Sequence, residues 1–151
     1  MRYILYTFLI VVTTANAADE LAVCNTKLSG YAYYPSVKPN SNTSAIEADG
    51  IKNFSVTVMR TADGKYDVLY IDRTNSIKSA TQKGGKVYLI RKGKRDFTIL
   101  VDYPGERMDI YTFSKENNRD TISLLINSSG DLVLFPKNSL LVGECQLINI
   151  P

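Results

Sequence analysis

From Phe54 onward the chain alternates apolar and polar positions with a period of two. Phe54, Val56 and Val58 share one face, and Ser55, Thr57 and Met59 share the other. Beyond Asp63-Gly64, a strong hairpin signal, Tyr66, Val68 and Tyr70 oppose Asp67, Leu69 and Ile71. A short strand centred on "SIKSAT" follows. The alternation resumes in "VYLIR" after Gly84-Gly85 and in "DFTILVDY", where Phe97, Ile99, Val101 and Tyr103 align. It continues through "RMDIYTF", "TISLLIN", "LVLFP" and "SLLVGECQLINI". Each run is bounded by Gly, Pro, Asn, Asp or Ser, and no helical stripe of comparable length competes with it.

Roughly nine or ten strands joined by hairpin-short turns predict an all-β, single-domain antiparallel meander. The expected form is a small β-barrel, closed or nearly so, with a β-sandwich as the second choice. One region breaks the rhythm. Pro35 to Gly50 is polar, holds Pro35 and Pro39, and shows no alternation. Connections this long are uncommon in compact domains, so it is the natural candidate for a flap or recognition loop.

The start of the chain has the layout of a cleavable export signal over residues 1–17. Arg2 precedes the apolar run Tyr3 to Val12, and Ala15-Asn16-Ala17 ends it with small residues. Residues 18–151 then form the single domain, and no later stretch is apolar enough to span a bilayer. Bulky Val23 before Cys24 makes a poor lipidation site. In an exported chain the two cysteines, Cys24 and Cys145, predict one disulfide tying the two ends of the domain together. Size, meander and single disulfide resemble lipocalins in architecture only. Gly30-Tyr31-Ala32 stands where that family carries Gly-x-Trp, the tryptophan is absent, and no residue role carries over.

Charge adds little. The formal net charge is +3, too small to predict a nucleic-acid partner. The cluster "RKGKR", Arg91 to Arg95, reads first as a solvated hairpin turn and second as a contact for a polyanion. Chemistry is equally sparse. The chain has no histidine, which removes the commonest general base and metal ligand, and no transition-metal or calcium motif replaces it. Acids such as Asp67 and Asp72 fall on opposite faces of one strand. No catalytic residue, metal site or cofactor is expected. The sequons at Asn42, Asn53 and Asn127 matter only in a eukaryotic secretory host.

Ten tyrosines and no tryptophan remain. In "LSGYAYYP", Tyr31 and Tyr33 point one way and Tyr34 the other. Strand propensity favours core filling, with Tyr34 the most exposed of the three. The expected function is a non-enzymatic binding or inhibitory module, periplasmic or secreted, that meets a protein or glycan partner outside the cytoplasm. Its contact surface would comprise Tyr34, Lys38, Asn40, Asn42 and Glu47, with Lys92, Lys94 and Arg95 from the basic turn. The alternative is a carrier of a small apolar ligand inside the barrel, which requires a cavity on the order of hundreds of Å³ rather than a filled interior. A carboxylate-based hydrolase, needing two convergent acids in a cleft, comes third.

Overall fold

The computed structural model describes residues 18–35, 45–72, 74–134 and 136–151. The predicted export signal, and Lys38, Asn40 and Asn42, lie outside the described residues. The strands are β1 (Asp19–Tyr34), β2 (Ala45–Arg60), β3 (Tyr66–Ile71), β4 (Ile77–Ser79), β5 (Lys86–Lys92), β6 (Asp96–Tyr103), β7 (Arg107–Lys115), β8 (Asp120–Ser128), β9 (Lys137–Cys145) and β10 (Leu147–Ile148). All pairings are antiparallel, in the order β4-β3-β2-β1-β9-β8-β7-β6-β5, with β10 on β1.

This is two meanders zipped together. Strands β1 to β4 and β5 to β9 each follow chain order, and β1 pairs β9 from Ser29↔Val142 to Tyr33↔Asn138. Gly30 makes the seam possible, because a Cβ there would lie 1.9 Å from the Leu140 carbonyl oxygen. The sheet curls into a half-barrel. Its edges are β4 and β5, and among the described residues no ladder joins them.

One end of the half-barrel is filled and locked. Phe97 and Phe113 stand opposite each other on β6 and β7 and stack with ring centroids 4.8 Å apart. Leu28, Val56, Val58, Val68 and Ile122 are buried in the same core. Here Cys24 and Cys145 form the expected disulfide. The Gln146 N–H donates to the Val23 carbonyl (2.9 Å) and the Asn149 N–H to that of Leu21 (2.7 Å). Lys115 Nζ donates to the Ile148 carbonyl at 3.0 Å, so the C-terminal segment is held against β7 as well as β1.

Three expectations need correcting. Residues 45–50, read as part of the long connection, are strand and pair β1 from Tyr34↔Ala45 to Ser29↔Gly50. They lack alternation because they border solvent and an open interior instead of a packed core. In "LVLFP" the described residues Leu132 to Leu134 are not strand. The Leu132 N–H bonds the Gly105 carbonyl (3.2 Å) and the Val133 N–H bonds that of Gly130 (3.1 Å), so the backbone of Leu132 and Val133 serves a loop against the Pro104-Gly105 turn. Gly105 itself has φ 78°, the left-handed position after proline that glycine fills at least cost. Lastly, "SLLVGECQLINI" is two strands, β9 and β10, interrupted at Gln146.

Candidate functional site

The other end of the half-barrel is hollow. Strand β3 accompanies β2 only from Val56 to Arg60, so among the described residues Ala45 to Ser55 have a strand on one side alone. The walls part there around a cavity of about 780 Å³. Leu124, Ile126, Leu141 and Tyr111 line one side, and Ile51, Phe54 and Tyr70 the other.

Above this apolar lining the inward residues of β7, β8 and β9 form two polar layers. Residues two apart on a strand share a face. The deeper layer runs Asp109, Ile126, Ser139 in register, and the layer nearer the mouth runs Arg107, Ser128, Lys137. Tyr103 on β6 extends the mouth layer beside Arg107. Arg107 therefore sits one layer above Asp109.

The first pair is Arg107 with Asp109. Arg107 Nε lies 3.2 Å from Asp109 Oδ2, an ion-pair distance without hydrogen-bond alignment, since Nε has no hydrogen-bond partner. The guanidinium carbon lies 4.7 Å from the centre of the Tyr103 ring, a cation–π contact. The Tyr111 hydroxyl donates to Asp109 Oδ2 at 3.4 Å. Asp109 is 2% exposed, and its Oδ1 has no partner. Burial pushes the carboxyl up from its ordinary value, with Arg107 and the Tyr111 hydroxyl opposing it. Burial likewise raises the Tyr103 and Tyr111 phenols, so both rings stay neutral.

The second pair is Lys137 with Asp49. Asp49 reaches across β1, over Gly30 and Ala32, to the far strand β9. Its Oδ2 accepts from Lys137 Nζ (2.7 Å) and the Ser139 hydroxyl (2.8 Å), and its Oδ1 from the Gly50 N–H (2.9 Å). Burial works against the charge, but the Lys137, Ser139 and Gly50 donors outweigh it and hold Asp49 below its ordinary value. Asp49 and Asp109 are thus each committed to a cation of their own. Among the described residues no group of three or more potential metal ligands occurs.

The residues singled out from sequence are dispersed. Tyr34 and Glu47 sit at the mouth end, where β1 and β2 begin to pair. Lys92, Lys94 and Arg95 lie at the opposite end of β6, about 24 Å away at strand rise. That turn is partly a folding device: Arg91 pairs with Asp96 (2.9 Å), and Arg95 Nη1 donates to Asn117 Oδ1 (3.0 Å). The tyrosine expectation is reversed. Tyr34 is half-buried, whereas Tyr31 and Tyr33 are 67% and 42% exposed on the convex face. Asp67 and Asp72 are structural. Asp67 accepts from Ser79 (2.6 Å), and Asp72 accepts from the backbone of Thr74 and Ser76 in the β3–β4 turn.

Arg107, Asp109, Ser128, Lys137 and Ser139 went unmarked in the sequence, and Asp49 was marked only as part of the Pro35–Gly50 segment. A signal for one of them was present: Asp109 shares its face with Tyr111 and Phe113, which places a carboxylate in line with the core. No family model, curated protein or solved structure matches the chain, so its own geometry carries the functional reading.

Proposed function

We propose that this protein is a non-enzymatic binding protein that holds a small amphiphilic molecule in the mouth of its half-barrel. This promotes the carrier alternative over a module that works only through its loops. The observation that carries it is the cavity of about 780 Å³, in which an apolar cluster of Leu124, Ile126, Leu141, Ile51 and Phe54 adjoins polar and charged side chains on both walls. Small-molecule sites have this size, and the mixed lining suits a molecule with both an apolar and a polar part. The reading by surface contact is weaker, because the basic turn and the mouth stand at opposite ends of the sheet. A hydrolase is weaker still, because the three cavity carboxylates, Asp49, Asp72 and Asp109, are each paired with a cation, Lys137, Lys78 and Arg107. The buried disulfide fits an oxidising compartment, and with the predicted export signal it supports a periplasmic or secreted location. Among the described residues no helix is long and apolar enough to cross a membrane.

The test is a fluorescence titration of the purified full chain with N-phenylnaphthylamine, an apolar dye that brightens when it leaves water. Saturable binding that Ile126→Trp abolishes and Leu140→Ser on the convex face leaves intact is the expected result. Binding that survives Ile126→Trp, or no saturable binding at all, contradicts the proposal.

A further inference from the structure

The chemistry of the mouth layer says what kind of head group the cavity accepts. The two carboxylates paired with these cations are engaged or out of reach. Asp49 uses both oxygens on Lys137, Ser139 and Gly50. Asp109 Oδ2 faces Arg107 and Tyr111, and Oδ1 is buried. The donors are different. The Lys137 side chain is 33% exposed and the Arg107 side chain 39%, against 22% and 3% for their acids. An ammonium has three N–H groups and a guanidinium five, more than the contacts above consume. Ser128 places a hydroxyl between them.

We infer that Arg107, Ser128 and Lys137 form an oxyanion-binding row, and that the ligand is an amphiphile with a carboxylate or phosphate head. This rests on the cavity reading above. The backbones of β7 and β9 are two strand spacings apart, about 9–10 Å. Long cationic side chains converging from that distance bracket a single head group over Ser128. Asp109 and the Tyr103 ring hold the guanidinium in place, and Asp49 steadies the ammonium, so little side-chain freedom is lost when the anion arrives. The apolar tail then runs down over Ile126, Leu124 and Leu141.

The experiment displaces N-phenylnaphthylamine from the full chain with four ligands of equal chain length: decanoate, decyl phosphate, decanol and decylamine. Charge-assisted hydrogen bonds predict that at least one of the two anions competes at about tenfold lower concentration than the alcohol or the amine. Whichever anion is stronger names the head group. Lys137→Gln, which leaves Asp49 bonded to Ser139 and Gly50, is expected to remove most of that advantage, read as the potency of each anion relative to decanol in the same variant. Arg107→Lys keeps a cation beside Asp109 and is expected to weaken the anion preference through loss of the planar fork. Equal potency of all four ligands, a preference for the amine, or an anion preference untouched in both variants overturns the oxyanion row while the cavity reading stands. A chain that binds no dye overturns both.

Discussion

Cys24 and Cys145 are covalently joined across 121 residues, on the neighbouring strands β1 and β9. The bond lies at the filled end of the half-barrel, opposite the polar mouth. It closes nearly the whole domain into one loop, which in the chain-entropy model is worth about 4–5 kcal/mol. The Cys24→Ala/Cys145→Ala double variant is expected to lose stability of that order in urea titrations. Reductant on the intact protein is expected to act likewise. A loss below about 1 kcal/mol would mean that β1–β9 and β1–β10 pairing fix the seam unaided.

Gly30 is expected to tolerate no side chain. A Cβ there meets backbone, the Leu140 carbonyl, and not the flexible end of a side chain. Gly30→Ala must therefore part β1 from β9, at a cost of about 2 kcal/mol or more. Gly64→Ala serves as the contrast. Its turn has open space around it, so only the φ of 79° opposes the change. Equal losses at the two positions would contradict the close-packed seam.

Asp109 predicts a pH dependence of definite sign. Burial raises its carboxyl above the ordinary 3.8, so the folded protein keeps this proton to higher pH than the unfolded chain. Its contribution to stability is fully present below 3.8 and is lost as pH rises through the raised folded value. Asp49 runs the other way. Its carboxyl is held low, and its contribution is lost only as pH falls through that lower value. Urea midpoints measured from pH 3 to 8 are expected to carry a downward component with rising pH that Asp109→Asn removes. An identical pH profile in the variant would contradict the buried-acid assignment.

The stacked pair Phe97–Phe113 anchors the filled end. Phe97→Ala is expected to cost about 3–5 kcal/mol, since neighbours on a rigid sheet collapse poorly into the space. Dye binding at the mouth, measured well below the unfolding midpoint, is expected to remain. Joint loss of both would show that the two ends of the half-barrel are not separable.

Much of the fold was legible because period-two alternation survives wherever a strand has one packed face. Phe97, Ile99 and Val101 announce β6, and Phe54, Val56 and Val58 announce the inner half of β2. The signal disappears where the interior is hollow. Residues 45–50 are mostly exposed, with only Asp49 and Gly50 at the opening, and so carry no packed apolar face, which made them read as loop. It also misleads in "LVLFP", where consecutive apolar residues follow a backbone committed to a turn. The disulfide followed from there being only two cysteines. The site did not follow from anything so local. Arg107 and Lys137 belong together only through the register of three strands, and Asp49 joins them only because Gly30 and Ala32 leave room across β1.

The convex face offers a competing place for an apolar probe, and it supplies the most direct test. Tyr31, Leu140 and Leu125 stand in register there, with Leu140 56% and Leu125 39% exposed. Their immediate chain neighbours Leu141 and Leu124 line the cavity instead. Methyl NMR spectra recorded as N-phenylnaphthylamine is added separate the two faces residue by residue. Shifts at Leu124, Ile126 and Leu141, with Leu125, Leu140 and Val142 unmoved, are the predicted result. Shifts confined to Leu125, Leu140 and Val142 would show that the half-barrel interior is not a binding site.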